Sequence, residues 1–151
     1  MKRVIAVLTL GAAVALLGVG CGGGGSKAKA LSKTDYVTQM TAIGKGLSTS
    51  LNTLGSATTA KTAAAGLAKV QIDLRDAVKK IDAITPPDNV KTAHEQLSKA
   101  VSEFADELDP VIVKLKGGNV SALTSITTLK GLKDIQAAAA AITKAGYKIG
   151  G

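Results

Sequence analysis

Between Thr59 and Ile84 the apolar residues fall at Ala60, Ala63, Leu67, Val70, Leu74, Ala77, Ile81 and Ile84, in steps of three and four without a slip. Only an α-helix returns side chains to one face at that rhythm. Held over more than three heptads, the seam needs a covering surface along its whole length. Asp73, Asp76, Lys79, Lys80 and Asp82 all lie off it and are predicted to face solvent. Thr85-Pro86-Pro87 then stops the helix, because proline lacks the amide and disfavours helical geometry in the residue before it. The rest of the chain must therefore supply partners for one long apolar stripe.

Three further stripes do so. Helix 1 is predicted to open at Ser32 as N-cap, with Asp35 three residues on as a short-acid capping box and Leu31 and Tyr36 as a hydrophobic staple. Its inner face reads Tyr36, Met40, Ile43, Leu47, Leu51, Leu54. Gly44 and Gly46 weaken it by about 1 kcal/mol each relative to Ala, and Gly55-Ser56 ends it. Helix 3 starts at Asp88 as N-cap and carries Val90, Ala93, Leu97, Ala100, Val101, Phe104, Leu108, Val111 and Leu115 inward. Pro110 is expected to kink it or to split off its last turn, and Gly117-Gly118 ends it. Helix 4 begins near Asn119, with Ala122, Ile126, Leu129, Leu132, Ile135, Ala139 and Ile142 as inner positions. The spacing drifts around Gly131, which predicts a break there. Gly146 suits the left-handed residue of a Schellman ending, with Tyr147 packing back. No strand pattern competes, so the fold class is all-α. Residues 32–147 are expected to form an up-down-up-down four-helix bundle with helices near 20°. That order brings the start of helix 1, the Pro86-Pro87 turn and the C-terminus to one end. Ala137–Ala141 then lie beside Tyr36, Ile81 and Val90. Either Tyr36 fills the room left by the alanines, or the helices close up.

The segment before the bundle is of another kind. Lys2 and Arg3 precede an apolar run from Val4 to Val19, and small residues lead to Cys21, the only cysteine. A basic start, a short apolar core and small residues at a cut mark a secretory signal. The run is short for a membrane span and ends in glycine. A cysteine just past small residues resembles the lipobox of bacterial lipoproteins, with Gly18 where leucine is usual and Leu17 one place earlier. The resemblance implies a diacylglycerol on the Cys21 thiol and cleavage before it. A lone cysteine in an exported chain has no intrachain disulfide partner. Buried acyl chains would hold the protein firmly, at about 0.8 kcal/mol per CH₂. Residues 1–20 are thus read as a lipoprotein signal peptide, 21–31 as lipidated Cys and flexible linker, and 148–151 as a tail. The glycine-rich linker has a root-mean-square reach of roughly 15–18 Å.

The full chain of 151 residues carries a net charge of +8, reduced by two when Lys2 and Arg3 leave with the signal. A basic body at a membrane is drawn to anionic lipid or to an anionic wall polymer. Nucleic acid is not expected as a partner. Arg75 is the single arginine after the leader, tryptophan is absent, and Tyr36, Phe104 and Tyr147 are the aromatics, so base stacking and bidentate base reading lack their usual side chains.

Candidate chemistry is sparse. His94 is the only histidine, and a zinc site would need about three or four ligands of the His and Cys kind. Its place just after Ala93 predicts a residue at the edge of the stripe. Glu103, Asp106, Glu107 and Asp109 gather on helix 3, with Glu103 and Glu107 sharing a face. A straight helix cannot wrap the six to eight oxygens that calcium takes, so a solvated face paired with lysines of a neighbouring helix is expected. No serine sits in a nucleophile elbow, and no phosphate or dinucleotide fingerprint is present. Ala137–Ala141 predicts close helix packing, or else a narrow apolar pocket for a lipid or small molecule.

Leu31-Ser32-Lys33 opening a helix, Pro86-Pro87 followed by Val90, His94 and Leu97, and the Gly146-Tyr147 ending together resemble small exported actinobacterial lipoproteins of unassigned function. The resemblance implies a helical bundle. Members often carry a cysteine after Ala-Ile in helix 1, where Gly44 follows Ala42-Ile43 here, and it transfers no functional residue. The sequence therefore predicts a non-catalytic, lipid-anchored bundle on the outer face of the cytoplasmic membrane, with no metal or cofactor. It would act as an interaction or structural module with an envelope protein or anionic polymer. The alternative is a small-ligand carrier with a pocket inside the bundle.

Overall fold

The computed structural model describes residues 29–54 and 57–149. Cys21, the signal segment, most of the linker and the Gly55-Ser56 turn lie outside the described residues. Among the described residues there is no strand. Helix α1 spans Lys33–Leu54, α2 Ala60–Asp82, α3 Lys91–Lys116 and α4 Lys130–Lys144. The most extensive interface is α2 with α3, followed by α3 with α4 and then α1 with α2. Helix α3 is thus the centre of the assembly, and its buried face carries Leu97, Val101, Phe104, Leu108, Val111 and Leu115.

The helix ends follow the sequence closely. The Asp35 amide donates to Ser32 Oγ at 3.2 Å, and the Ser32 hydroxyl donates to the Asp35 carboxylate at 2.6 Å. The shorter acid thus meets the capping hydroxyl itself. Helix α2 has Thr59 as N-cap, in a reciprocal box with Thr62. Its seam is buried from Ala63 through Ile84. At the end of α4 the Gly146 amide donates to the Thr143 carbonyl and the Tyr147 amide to that of Ile142. This is the two-bond Schellman pattern, with Gly146 at φ 92°. Gly118, at φ 89°, ends α3 in the same way.

Four expectations need correction. Of the two outcomes expected at Pro110, a kink or a split, the split does not occur: α3 runs through Pro110 to Lys116. Proline removes the bond to the carbonyl four residues back, that of Asp106. Both Asp106 and Pro110 lie on the exposed face, where water can take that carbonyl. Asp88 does not cap α3 either: it opens a short 3₁₀ turn, Asp88–Val90, and no side chain caps the helix that follows.

The third correction concerns helix 4. Val120–Thr128 is a 3₁₀ helix, and α4 starts only at Lys130. Such helices are uncommon beyond three or four residues. Here the serines and threonines support the tighter winding. Thr124, Ser125, Thr127 and Thr128 each donate their hydroxyl to the carbonyl three residues back, at 2.7–3.1 Å. Hydroxyls that take local carbonyls compete with the α-helical ladder. Because the helix restarts at Lys130, its inner face is renumbered. Gly131, Ala138 and Ile142 are buried, whereas Ala139 is half-exposed. Gly131 is where α4 crosses α3. A Cβ there would lie 2.5 Å from the Phe104 nitrogen and 2.6 Å from its Cα, so only glycine lets the two backbones come this close.

Fourth, the stripe of α1 does not stay buried along its length. Tyr36 is 0% and Met40 5% exposed, but Leu51 is 49% exposed. Nothing lies within 4 Å of a Cβ built on Gly44 or Gly46. These glycines serve no close approach.

Candidate functional site

The richest polar cluster is where the start of α1, the end of α2, the start of α3 and the C-terminal tail meet. The Leu31 amide donates to the Thr85 carbonyl at 3.0 Å, which ties the entry of the helical body to the proline turn. One turn into α1, Tyr36 reaches His94 on α3, with its hydroxyl 3.2 Å from Nδ1. His94 Nε2 lies 3.1 Å from the Ile81 carbonyl at the end of α2. A carbonyl can only accept, so Nε2 carries the proton, and Nδ1 accepts from the Tyr36 hydroxyl. Tyr147 packs edge-on against Tyr36 at 5.5 Å between centroids, and its hydroxyl donates to Asn89 Oδ1 at 2.7 Å. Lys33 Nζ lies 5.4 Å from the centre of the Tyr147 ring. Tyr147 and His94 are the ring partners of Tyr36.

Burial sets the electrostatics of this cluster. It pushes the Tyr36 hydroxyl up to about 12, with a smaller contribution from Tyr147. It also holds His94 below the usual imidazole range, although the Ile81 carbonyl and the charges of Asp82 and Glu95 oppose this. At neutral pH the imidazole is uncharged. It is 4% exposed rather than at the edge of the stripe, and both nitrogens are engaged inside the fold. That leaves no lone pair for a metal and no free nitrogen for a substrate proton. His94 links three segments of chain instead.

The acidic residues of α3 separate onto two sides. Arg75 of α2 meets Asp106 at 3.2 Å and Asp109 at 3.9 Å. The buried Gln71 amide donates to Asp109 at 2.8 Å and to the Ala105 carbonyl at 2.7 Å. Toward α4, Glu103 pairs with Lys130 at 3.4 Å, and Glu107 accepts from the Gly131 amide at 2.9 Å. Glu107 thereby caps α4 from a neighbouring helix. Leu129, at the N-cap position, has no polar side chain to do so, and an acid at a helix N-terminus is electrostatically favoured. The patch on α3 is a set of inter-helix ties. Among the described residues no group of three or more His, Cys, Asp or Glu side chains is placed to hold a metal ion. No described helix is long and apolar enough to cross a membrane.

Grooves lie at the surface. One of about 350 Å³ runs between α3 and α4, lined by Lys99, Glu103, Lys130, Asp134, Ala137 and Ala138 among others. A second, of about 420 Å³, has Ala64, Ala65 and Ala68 as its floor, with Lys61 of α2 and Lys116 of α3 as its charged residues. This second groove is part of a wider pattern that overall composition hides. From Tyr36 to Ile72 and from Pro110 to Lys133 there is no Asp or Glu, whereas each stretch carries several lysines. Lys69 is paired with Asp73, and Lys130 with Glu103 and Asp134. Lys45, Lys61, Lys114, Lys116 and Lys133 are exposed and form no ion pair among the described residues. The sequence held this signal in the spacing of its acids, not in their number.

Comparison with protein-family models, with curated proteins and with solved structures finds no match to this chain.

Proposed function

We propose that this chain is a non-catalytic, lipid-anchored helical bundle, tethered through Cys21 to the outer face of the cytoplasmic membrane. There it serves as an interaction or structural module. In this reading residues 1–20 are a lipoprotein signal peptide, as in the small actinobacterial lipoproteins that the sequence resembles. The helices run up-down-up-down, so that the Pro86-Pro87 turn and Tyr147 lie toward the membrane and the turns near residues 55 and 117 point away.

The observation that carries the reading is the order at the entry of the body. A basic-apolar leader ends at the sole cysteine, a glycine run follows, and at the entry of the helical body the Leu31 amide is bound to the Thr85 carbonyl. In this reading the tether meets the body at a fixed point. The engagement of His94 at both nitrogens and the pairing of the α3 acids further support a structural part for the groups that could have done chemistry.

Native mass spectrometry of the chain extracted from its own membrane in mild detergent tests this. The expected mass is that of a chain starting at Cys21 plus acyl groups, alone or within a larger assembly. A chain starting elsewhere, or one without lipid, refutes the anchor. A single additional small molecule retained by the folded chain would favour the carrier over the interaction module.

A further inference from the structure

We propose that the acid-free surface around Lys61 and Lys116 is the docking site of this module, and that its partner is a linear polyanion of the polyol-phosphate kind. The choice of a polymer over the bilayer rests on the anchored reading above; the charge argument does not.

Three features point to such a partner. The first is charge. Lys61 and Lys116 border one groove, and among the described residues neither has an acidic partner. The two chain segments that supply them lack Asp and Glu throughout, 36–72 and 110–133. Between Asp73 and Asp109, by contrast, stand nine of the eleven acids, which there pair Arg75 with Asp106, Lys79 with Asp76 and Lys99 with Glu103. An unmatched positive field persists over about 8–10 Å at physiological salt and draws a polyanion without needing a shaped cavity. The second is the floor. Ala64, Ala65 and Ala68 give the groove an apolar base of about 420 Å³ in volume. A chain that alternates phosphates with short carbon segments can lay the carbons on the alanines and the phosphates at the lysines. A densely charged inorganic anion would leave that base unused. The third is position. Lys61 lies in the first turn of α2 and Lys116 in the last turn of α3, far along α1 and α2 from the Leu31–Thr85 junction where the tether enters. A 22-residue helix such as α1 spans roughly 33 Å at 1.5 Å per residue. That exceeds the root-mean-square reach of the linker, roughly 15–18 Å. The surface therefore faces away from the membrane that holds the anchor, toward whatever polymer lies beyond it.

The test uses the full chain in mild detergent and a fluorescently labelled poly(glycerol phosphate), read by anisotropy over a salt series. The expected result is saturable binding that weakens steeply with salt. It should fall roughly tenfold or more in the double variant Lys61→Gln/Lys116→Gln, since each basic side chain near such a surface is worth about fivefold. A control variant, Lys91→Gln/Lys144→Gln, removes the same charge from exposed sites elsewhere and should bind like the parent. Circular dichroism on each variant verifies folding, which substitution at exposed positions leaves intact. Equal weakening in the two variants would mean that net charge alone is read, and overturns the site. Absence of binding by the parent overturns it as well. Displacement of the polymer by phosphatidylglycerol doped into the micelles at equal phosphate would assign the surface to a bilayer and refute the polymer. The mass of the same sample reports the anchor separately, so loss of one reading is distinguishable from loss of the other.

Discussion

Tyr36→Phe isolates the polar link at the junction of the helices. The ring stays, so the edge-on packing with Tyr147 at 5.5 Å is kept and no cavity of consequence opens. What goes is one donor. Nδ1 of His94, 3.2 Å from the lost hydroxyl, becomes an acceptor without a partner in a residue that is 4% exposed. Leaving a buried polar atom unsatisfied costs about 1–3 kcal/mol. At roughly 4 °C per kcal/mol for a domain of this size, the melting temperature should drop by roughly 4–12 °C.

The variant also changes the alkaline limb of the stability curve. Tyr36 is raised from 10.0 to about 12 in the fold, so between those values the native state binds a proton that the unfolded state has released. Stability is then fully present below pH 10 and falls as pH climbs toward 12. Two pH units correspond to about 2.7 kcal/mol. Phenylalanine cannot ionise, so this contribution disappears and the two curves should converge above pH 10. Urea unfolding followed by circular dichroism from pH 7 to 12 measures both effects. A variant within about 0.3 kcal/mol of the parent at pH 7, or curves that stay parallel up to pH 12, would refute the buried link.

On the acid side, His94 sits below its ordinary 6.5, so the unfolded chain binds the extra proton first. Its contribution is complete above about pH 6.5 and declines as pH falls toward the depressed folded value; His94→Gln should flatten that part of a urea-midpoint profile. Gly131→Ala should cost about 2–3 kcal/mol or prevent folding, because the new methyl would meet Phe104 backbone at 2.5 Å. Gly44→Ala, with nothing within 4 Å of the added carbon, should instead stabilise by about 0.5–1 kcal/mol, so the pair of glycines gives opposite signs in one thermal-melt experiment. Glu107→Ala should cost about 1 kcal/mol by uncapping α4, and hydrogen exchange should speed up at the Gly131 amide while the centre of α2 is unchanged.

What the sequence shows well is what depends on one element at a time. The seam of α2 needs only periodicity, and seven of its eight apolar positions, Ala63 through Ile84, are buried. The Ser32 cap and the Gly146 ending likewise depend on residues a few places apart. The failures are of another kind. That α4 meets α3 at Gly131 depends on where two backbones cross, and periodicity within one helix does not carry that. The drift at Gly131 could be seen, but its cause, the contact with Phe104, could not. Val120–Thr128 has apolar spacing that suits an α-helix, yet four hydroxyls bonded three residues back favour the tighter coil. His94 illustrates the same limit in the candidate site. From sequence it lies beside an inward position; in the fold it is inward because Tyr36 and the Ile81 carbonyl, far off in the chain, satisfy its two nitrogens.

These particulars make the molecule unequal along its length, and the inequality bears on its proposed work. At the junction beside Leu31, burial is nearly complete: Tyr36, Ile81, Val90, His94 and Tyr147 are all 6% exposed or less. Toward the other end of α1 the stripe opens to Leu51 at 49%, the glycines touch nothing, and a 3₁₀ coil replaces the first turns of a fourth helix. Local opening is set by how many buried contacts must be broken, so the junction is the last part to open and the far end the first. The matched charges tie helix to helix through the middle, whereas Lys61 and Lys116, without an acidic partner among the described residues, lie in the first turn of α2 and the last turn of α3. In the proposed reading the tether enters at the rigid end, the junction beside Leu31. The protein's free charge is useful only where nothing inside the fold neutralises it. That condition follows from where the eleven acids stand in the chain.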